Sequence, residues 1–249
     1  MPLSHSLGRS LARFLAQPRP QHRRLPYFAP AHLAETLRPG DVLLVEGTSR
    51  FATAIQYLTQ STWTHAALYV GQHLGPQPSL VEADVVEGVR LRPLSAYAGE
   101  HTRICRPVGL GEDDVAALLA FVQRRLGDAY DLRNVFDLAR YLLPLPLPRP
   151  WRRRMIAVGS GTPTRAICST LLAEAFESIR YPILPEVEHV DAMRTGSAQA
   201  RGELLHIRQS RLFVPRDFDV SPYFSIVKPR LNDAFDFHRL QWAPPDEPS

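Results

Sequence analysis

Cys168 stands near the start of the stretch 164–180, TRAICSTLLAEAFESIR. Leu171, Leu172, Ala175, Phe176 and Ile179 recur at the i, i+3, i+4, i+7 spacing of a buried helix face, and Glu174 and Glu177 lie off that stripe. The pattern predicts a core helix with Cys168 in its first turn. Unpaired backbone N–H groups there favour an anion, and a thiolate is an anion. One reading is an activated nucleophile; the other is a buried, inert cysteine. A nucleophilic cysteine needs a base near its sulfur, and the base needs a group that orients it. His65 opens one predicted strand and Glu82 lies on the next. If those strands pair antiparallel, the carboxylate reaches one imidazole nitrogen across the sheet and the other nitrogen faces a helix packed over it. Such a pair keeps an imidazole basic and oriented, and an imidazolium beside the thiol lowers its pKa. Each part alone also fits a structural role: a histidine ending a strand, a glutamate at a solvated rim.

The elements that must position these residues are legible in order. Residues 1–17 place Leu3, Leu7, Leu11, Phe14 and Leu15 at helical spacing, with Arg9 and Arg13 elsewhere on the wheel. Two readings stay open for this basic amphipathic segment: docking on the protein's own core, or peripheral contact with a membrane surface. It lacks the continuous apolar region and small-residue cleavage site of a secretory signal. A Pro/Arg linker follows to residue 30. A short helix over 31–38 ends at Pro39-Gly40. DVLLVE, 41–46, reads as an apolar strand, and Ser49 caps a helix running to Thr59. Strands are predicted at 66–70, 79–83, 88–91 and 102–106, giving a mostly antiparallel meander of about five strands. Asp113 and Asp114 open a helix with Val115, Leu118, Leu119, Val122 and Leu126 on one face, stopped by Gly127. A further helix is expected over 131–143. The proline-rich stretch 144–150 and the basic knot Trp151-Arg152-Arg153-Arg154 follow; that knot suits an anionic group or a solvated surface. The signal over 185–210 is weak. An ordered loop is expected from 214, feeding a last strand at 224–227, with a tail beyond 230.

Composition bounds the reading. The chain has 249 residues, 45 % of them hydrophobic, enough for a sizeable core. Two cysteines exclude a disulfide framework, and the spacing of Cys105 and Cys168 is not that of a zinc site; neither metal nor cofactor is expected. The formal charge of +4 and the pI near 9.3 are carried almost wholly by arginine, Lys228 being the only lysine. The basic residues are scattered without an aromatic-basic motif, which argues against nucleic-acid binding. No run approaches the roughly 18 apolar residues of a membrane span. A cytoplasmic protein is expected, with residues 1–17 as the one candidate membrane contact. Neither half of the chain alone holds both the sheet and the cysteine helix. The organisation expected is therefore one α+β domain over 31–230 with a proline-rich insertion at 144–164, preceded by the segment 1–30 and followed by a tail, 231–249.

PGDVLLVEGT, STWTHAALYVG, LVEADVVEGV, AYDLRNVF and ICSTLLAEAF occur in that order. Together they resemble the permuted papain-like cysteine hydrolases of the NlpC superfamily, in particular the YiiX/YebB-like group, some of whose members are called lipo-like proteins. The resemblance runs from about Pro39 to about Lys228. His65 and Glu82 precede Cys168, which is the permuted order. The resemblance implies a small, mostly antiparallel sheet packed against a cysteine-bearing helix. It implies Cys168 as nucleophile, His65 as general base and Glu82 as third member, with Tyr130 and Asp131 near the cleft. It further implies cleavage of an amide bond, in a peptide or peptidoglycan-like substrate, through a thioester. Lecithin retinol acyltransferase-like proteins share the layout but typically carry histidine where this chain has Glu82, and Asn-Cys-Glu-His where it has Ile-Cys-Ser-Thr. A lipid-acting acyltransferase or thioesterase, and a non-enzymatic binding protein on the same fold, remain the alternatives.

Overall fold

A computed structural model describes residues 30–84, 87–129, 167–190, 202–206 and 213–228. The elements are α1 (Pro30–Thr36), β1 (Val42–Val45), α2 (Arg50–Thr59), β2 (His65–Gly71), β3 (Ser79–Asp84), β4 (Gly88–Pro93), a 3-10 turn (Leu94–Tyr97), β5 (Thr102–Pro107), α3 (Glu112–Arg124), α4 (Ile167–Ser178), β6 (Glu186–Val190), β7 (Gly202–His206), α5 (Pro215–Val220) and β8 (Phe224–Val227). The expected segment 1–17, helix 131–143, proline-rich insertion, Arg knot and C-terminal tail lie outside the described residues.

The architecture is α+β. Six strands form one sheet in the order β4-β3-β2-β1-β5-β8, and every pairing is antiparallel. This differs from a simple five-strand meander. β1 sits between β2 and β5, and the chain after the β2-β3-β4 meander crosses back to reach it. All four residues of β1 are buried because both faces of the sheet are covered. Alternation sends Val42 and Leu44 to one face and Leu43 and Val45 to the other. On the first face α3, α4 and α5 supply Leu118, Val122, Leu171, Leu172, Phe176 and Phe218. On the second, α1 and the residue that follows it supply Leu33 and Leu37, and the 3-10 turn supplies Leu94 and Tyr97.

Helix boundaries follow local chemistry. The Ser49 hydroxyl accepts from the Ala52 N–H at 3.0 Å and starts α2. The Asp114 carboxylate accepts from the Gly111 N–H at 3.0 Å at the start of α3. In α4 the expected stripe is buried: Leu171, Leu172, Ala175 and Phe176 are each at most 2 % exposed. Burying each of the large ones stabilises by about 1.5–3 kcal/mol, which fixes the helix over β2 and β3. Two elements were not anticipated. β6 and β7 form a separate antiparallel pair within the weak region, and the loop from 214 contains α5. Among the described residues no helix is long and apolar enough to cross a membrane.

The Gly40-Asp41 pair has a structural explanation. Gly40 has φ +94°, a conformation that favours glycine. The buried Asp41 carboxylate takes Arg106 as a two-pronged fork, Nε at 2.9 Å and Nη2 at 2.7 Å, and also accepts from the Arg38 N–H at 2.8 Å. It thereby pins the start of β1 to β5. Asp41→Ala removes the counter-charge of Arg106, which keeps only the Thr36 carbonyl at 2.7 Å, and takes away the acceptor of the Arg38 N–H. We expect a loss of about 3 kcal/mol, read as a lower urea midpoint at constant m-value; an unchanged midpoint contradicts this role.

Candidate active site

The thiol, imidazole and carboxylate singled out from sequence meet at one end of the sheet. Cys168 is the second residue of α4, and its side chain is 4 % exposed. Its sulfur lies 3.9 Å from Ser169 Oγ, and the His65 ring and the Ala66 backbone N–H are near enough to act on its charge. His65 is the first residue of β2, opposite Val45 of β1. Its Nε2 is 2.6 Å from Glu82 Oε2. With the carboxylate ionised, Nε2 carries the proton and donates, which leaves Nδ1 for the sulfur. Glu82 belongs to the face that carries Leu80 and Tyr97, whereas α4 packs on the face of Ala66 and Leu68. The carboxylate and the thiol therefore approach the imidazole from opposite sides of the sheet. Only a residue at a strand end can bridge them.

The turn before His65 is fixed by a close approach. Thr64 is buried, and its hydroxyl accepts from the Gly47 N–H at 2.8 Å. A Cβ on Gly47 would stand 2.8 Å from that oxygen and 3.0 Å from Ala52. Trp63 Nε1 donates to Asp219 at 3.0 Å, and Arg103 lies over the indole, 4.9 Å from its centroid, while pairing with Asp219 at 2.7 Å. The stretch Trp63-Thr64-His65 is thus tied to β1, β5 and α5.

Glu82 is buried, its side chain 1 % exposed, not solvated at a rim. Besides His65, Oε2 accepts from the Tyr97 hydroxyl at 2.5 Å, and Oε1 accepts from Arg90 Nε at 2.8 Å and Nη2 at 2.7 Å. Burial pushes its carboxyl pKa up, but His65, Tyr97 and Arg90 outweigh burial and hold it well below the usual carboxylate range. Burial opposes an imidazolium at position 65; the charge and hydrogen bond of Cys168, then those of Glu82, raise its pKa nonetheless. Burial likewise raises the Cys168 thiol, and the His65 charge, the His65 hydrogen bond, the Ala66 N–H and Ser169 together bring it below its ordinary value. Cys105, fully buried on β5, is the opposite case: burial, with Asp219 adding to it, pushes its thiol up.

Tyr130 and Asp131 lie outside the described residues. Tyr97 and Arg90 were not singled out from sequence. A signal existed for Arg90: counting back along the β3-β4 hairpin, with Asp84 opposite Gly88, sets Glu82 opposite Arg90. Tyr97 arrives from a turn and leaves no such trace. Among the described residues no group of three or more His, Cys, Asp or Glu side chains is arranged to hold a metal ion.

A lowered thiol pKa beside a raised imidazole pKa favours a thiolate–imidazolium pair. The pair forms as pH rises through the depressed thiol pKa and is lost as pH rises through the raised imidazole pKa. We expect iodoacetamide to alkylate Cys168 at pH 6–7 roughly a hundredfold faster than Cys105, with the difference collapsing in His65→Ala. Equal, slow labelling of both thiols contradicts the pair.

Residues 36–141 match the family described as permuted papain-like amidase enzyme, YaeF/YiiX, C92 family. The match includes His65, Glu82, Arg90 and Tyr97 and ends before Cys168. Among curated proteins none matches. The chain is similar to the crystal structure titled metalloprotein yiiX from Escherichia coli O157:H7, at 17 % identity over 79 % of this chain and 99 % of that one, with a TM-score of 0.48.

Proposed function

We propose, from the match of residues 36–141 to the permuted papain-like amidase family, that this chain is a cysteine amidase working through Cys168, His65 and Glu82. The single observation that carries the reading is the His65 ring fixed 2.6 Å from a buried carboxylate and close enough to the Cys168 sulfur to act on its charge. The substrate is an amide of a small acyl group or peptide. The thiolate attacks the carbonyl carbon and a C–S bond forms. The oxyanion is placed at the first turn of α4, where backbone N–H groups, that of Cys168 among them, can donate to it. The imidazolium gives its proton to the leaving nitrogen, the C–N bond breaks, and a thioester remains. His65, now neutral, takes a proton from water. The resulting attack forms a C–O bond, breaks the C–S bond and returns the thiolate. Glu82 keeps the ring in the orientation and tautomer both steps need.

The test is intact-protein mass spectrometry after incubation with peptide, peptidoglycan-fragment and acyl-amide mixtures. The expected result is an acyl adduct on Cys168 that hydroxylamine removes, absent in Cys168→Ala. His65→Ala should lower turnover roughly 10²- to 10⁴-fold. Turnover that survives Cys168→Ala sinks the proposal.

A further inference from the structure

Glu82 holds more donors than an imidazole partner requires, and they are sorted by oxygen. Oε2 receives His65 and the Tyr97 hydroxyl; Oε1 receives two nitrogens of Arg90, with Arg92 Nη1 3.6 Å away. An ionised carboxylate only accepts, so the phenol donates. Rotation of the carboxylate about its last bond would break all of these contacts together. The donors are themselves held. Tyr97 is 2 % exposed, the Arg92 guanidinium lies over its ring at 4.7 Å, and its turn begins with a Leu94 N–H to Pro78 carbonyl bond of 2.9 Å. Arg90 is backed by Glu87 and, at 3.5 Å, by Asp84.

We propose that Tyr97 and Arg90 are positioning residues: they lock the rotation of Glu82 and share its charge, so that the carboxylate orients His65 without taking its proton. This rests on the Cys168-His65-Glu82 reading above. The charged and titratable groups facing Glu82 are His65 from β2, Arg90 and Arg92 from β4, and Tyr97 from the 3-10 turn. Asp84 and Glu87 stand behind Arg90, and Cys168 stands beyond the imidazole. A hydroxyl and a guanidinium on the carboxylate draw charge away from the oxygen that faces His65. Removing either makes Glu82 a stronger partner for the imidazolium.

The experiment is the pH dependence of Cys168 alkylation by iodoacetamide. It needs no amide substrate, so it is independent of whether the substrate class is right. The reading is the alkaline step, at which the imidazolium loses its proton. Relative to wild type, Tyr97→Phe should move that step up by about half a pH unit, Arg90→Gln up by about one, and Glu82→Gln down. Thermal melts by circular dichroism identify variants that remain folded, and Tyr97→Phe removes one oxygen and keeps the buried ring. If Glu82→Gln shifts the step while folded Tyr97→Phe and Arg90→Gln leave it in place, the clamp is overturned and the triad stands. If Glu82→Gln leaves it in place as well, the carboxylate has no hold on His65, and the clamp falls with the triad.

Discussion

A buried carboxylate must be answered by donors, and at Glu82 that requirement organises one end of the molecule. An isolated carboxylate taken out of water is penalised by several kcal/mol. Here β2 supplies an imidazole, β4 a guanidinium, and the 3-10 turn a phenol. The strand register is what makes this possible. Glu82 lies opposite Arg90 on the face shared with Tyr97. A one-residue slip would flip the carboxylate into the hydrocarbon beneath α4 and strand all three donors. The same side chain thus enforces the pairing of β3 with its neighbours and sets the orientation of His65.

The sheet does a second job by being covered on both faces. Its α4 side carries the thiol; its α1 side carries the carboxylate network. These groups would never meet through the sheet, because β1 and β2 are filled by Val42, Leu44, Ala66 and Leu68 on one side and Leu43, Val45, Ala67 and Tyr69 on the other. They meet at its end. There β2 begins with His65, which is 25 % exposed while its two partners are nearly fully buried. The ring is the member of the trio that solvent reaches most easily, which suits the proton-transfer role proposed for it.

Much of this was legible in the sequence, for specific reasons. The α4 stripe is unambiguous because Leu171, Leu172, Ala175 and Phe176 repeat at helical spacing. His65 and Glu82 could be placed side by side because the two strands are short and consecutive in the chain, joined by one Gly/Pro loop. Other parts left no local signal. The burial of Glu82 depends on donors from β4 and from a turn fifteen residues further on; nothing in LVEAD distinguishes it from a rim glutamate. In β6, EVEHV alternates charge with valine in a way that also suits an exposed loop, and its partner β7 starts beyond residue 200. The place of β1 between β2 and β5 is a long-range pairing that sequence adjacency does not suggest.

The claim beneath all of this is that Cys168 and His65 share a proton as thiolate and imidazolium. Nitrogen-15 NMR of histidine-labelled protein reads the protonation of the His65 ring directly. The account predicts a doubly protonated ring at pH 7 that titrates well above the ordinary histidine range, with a titration point that falls when Cys168 is replaced by alanine. A neutral His65 at pH 7, titrating alike with and without the thiol, would contradict it.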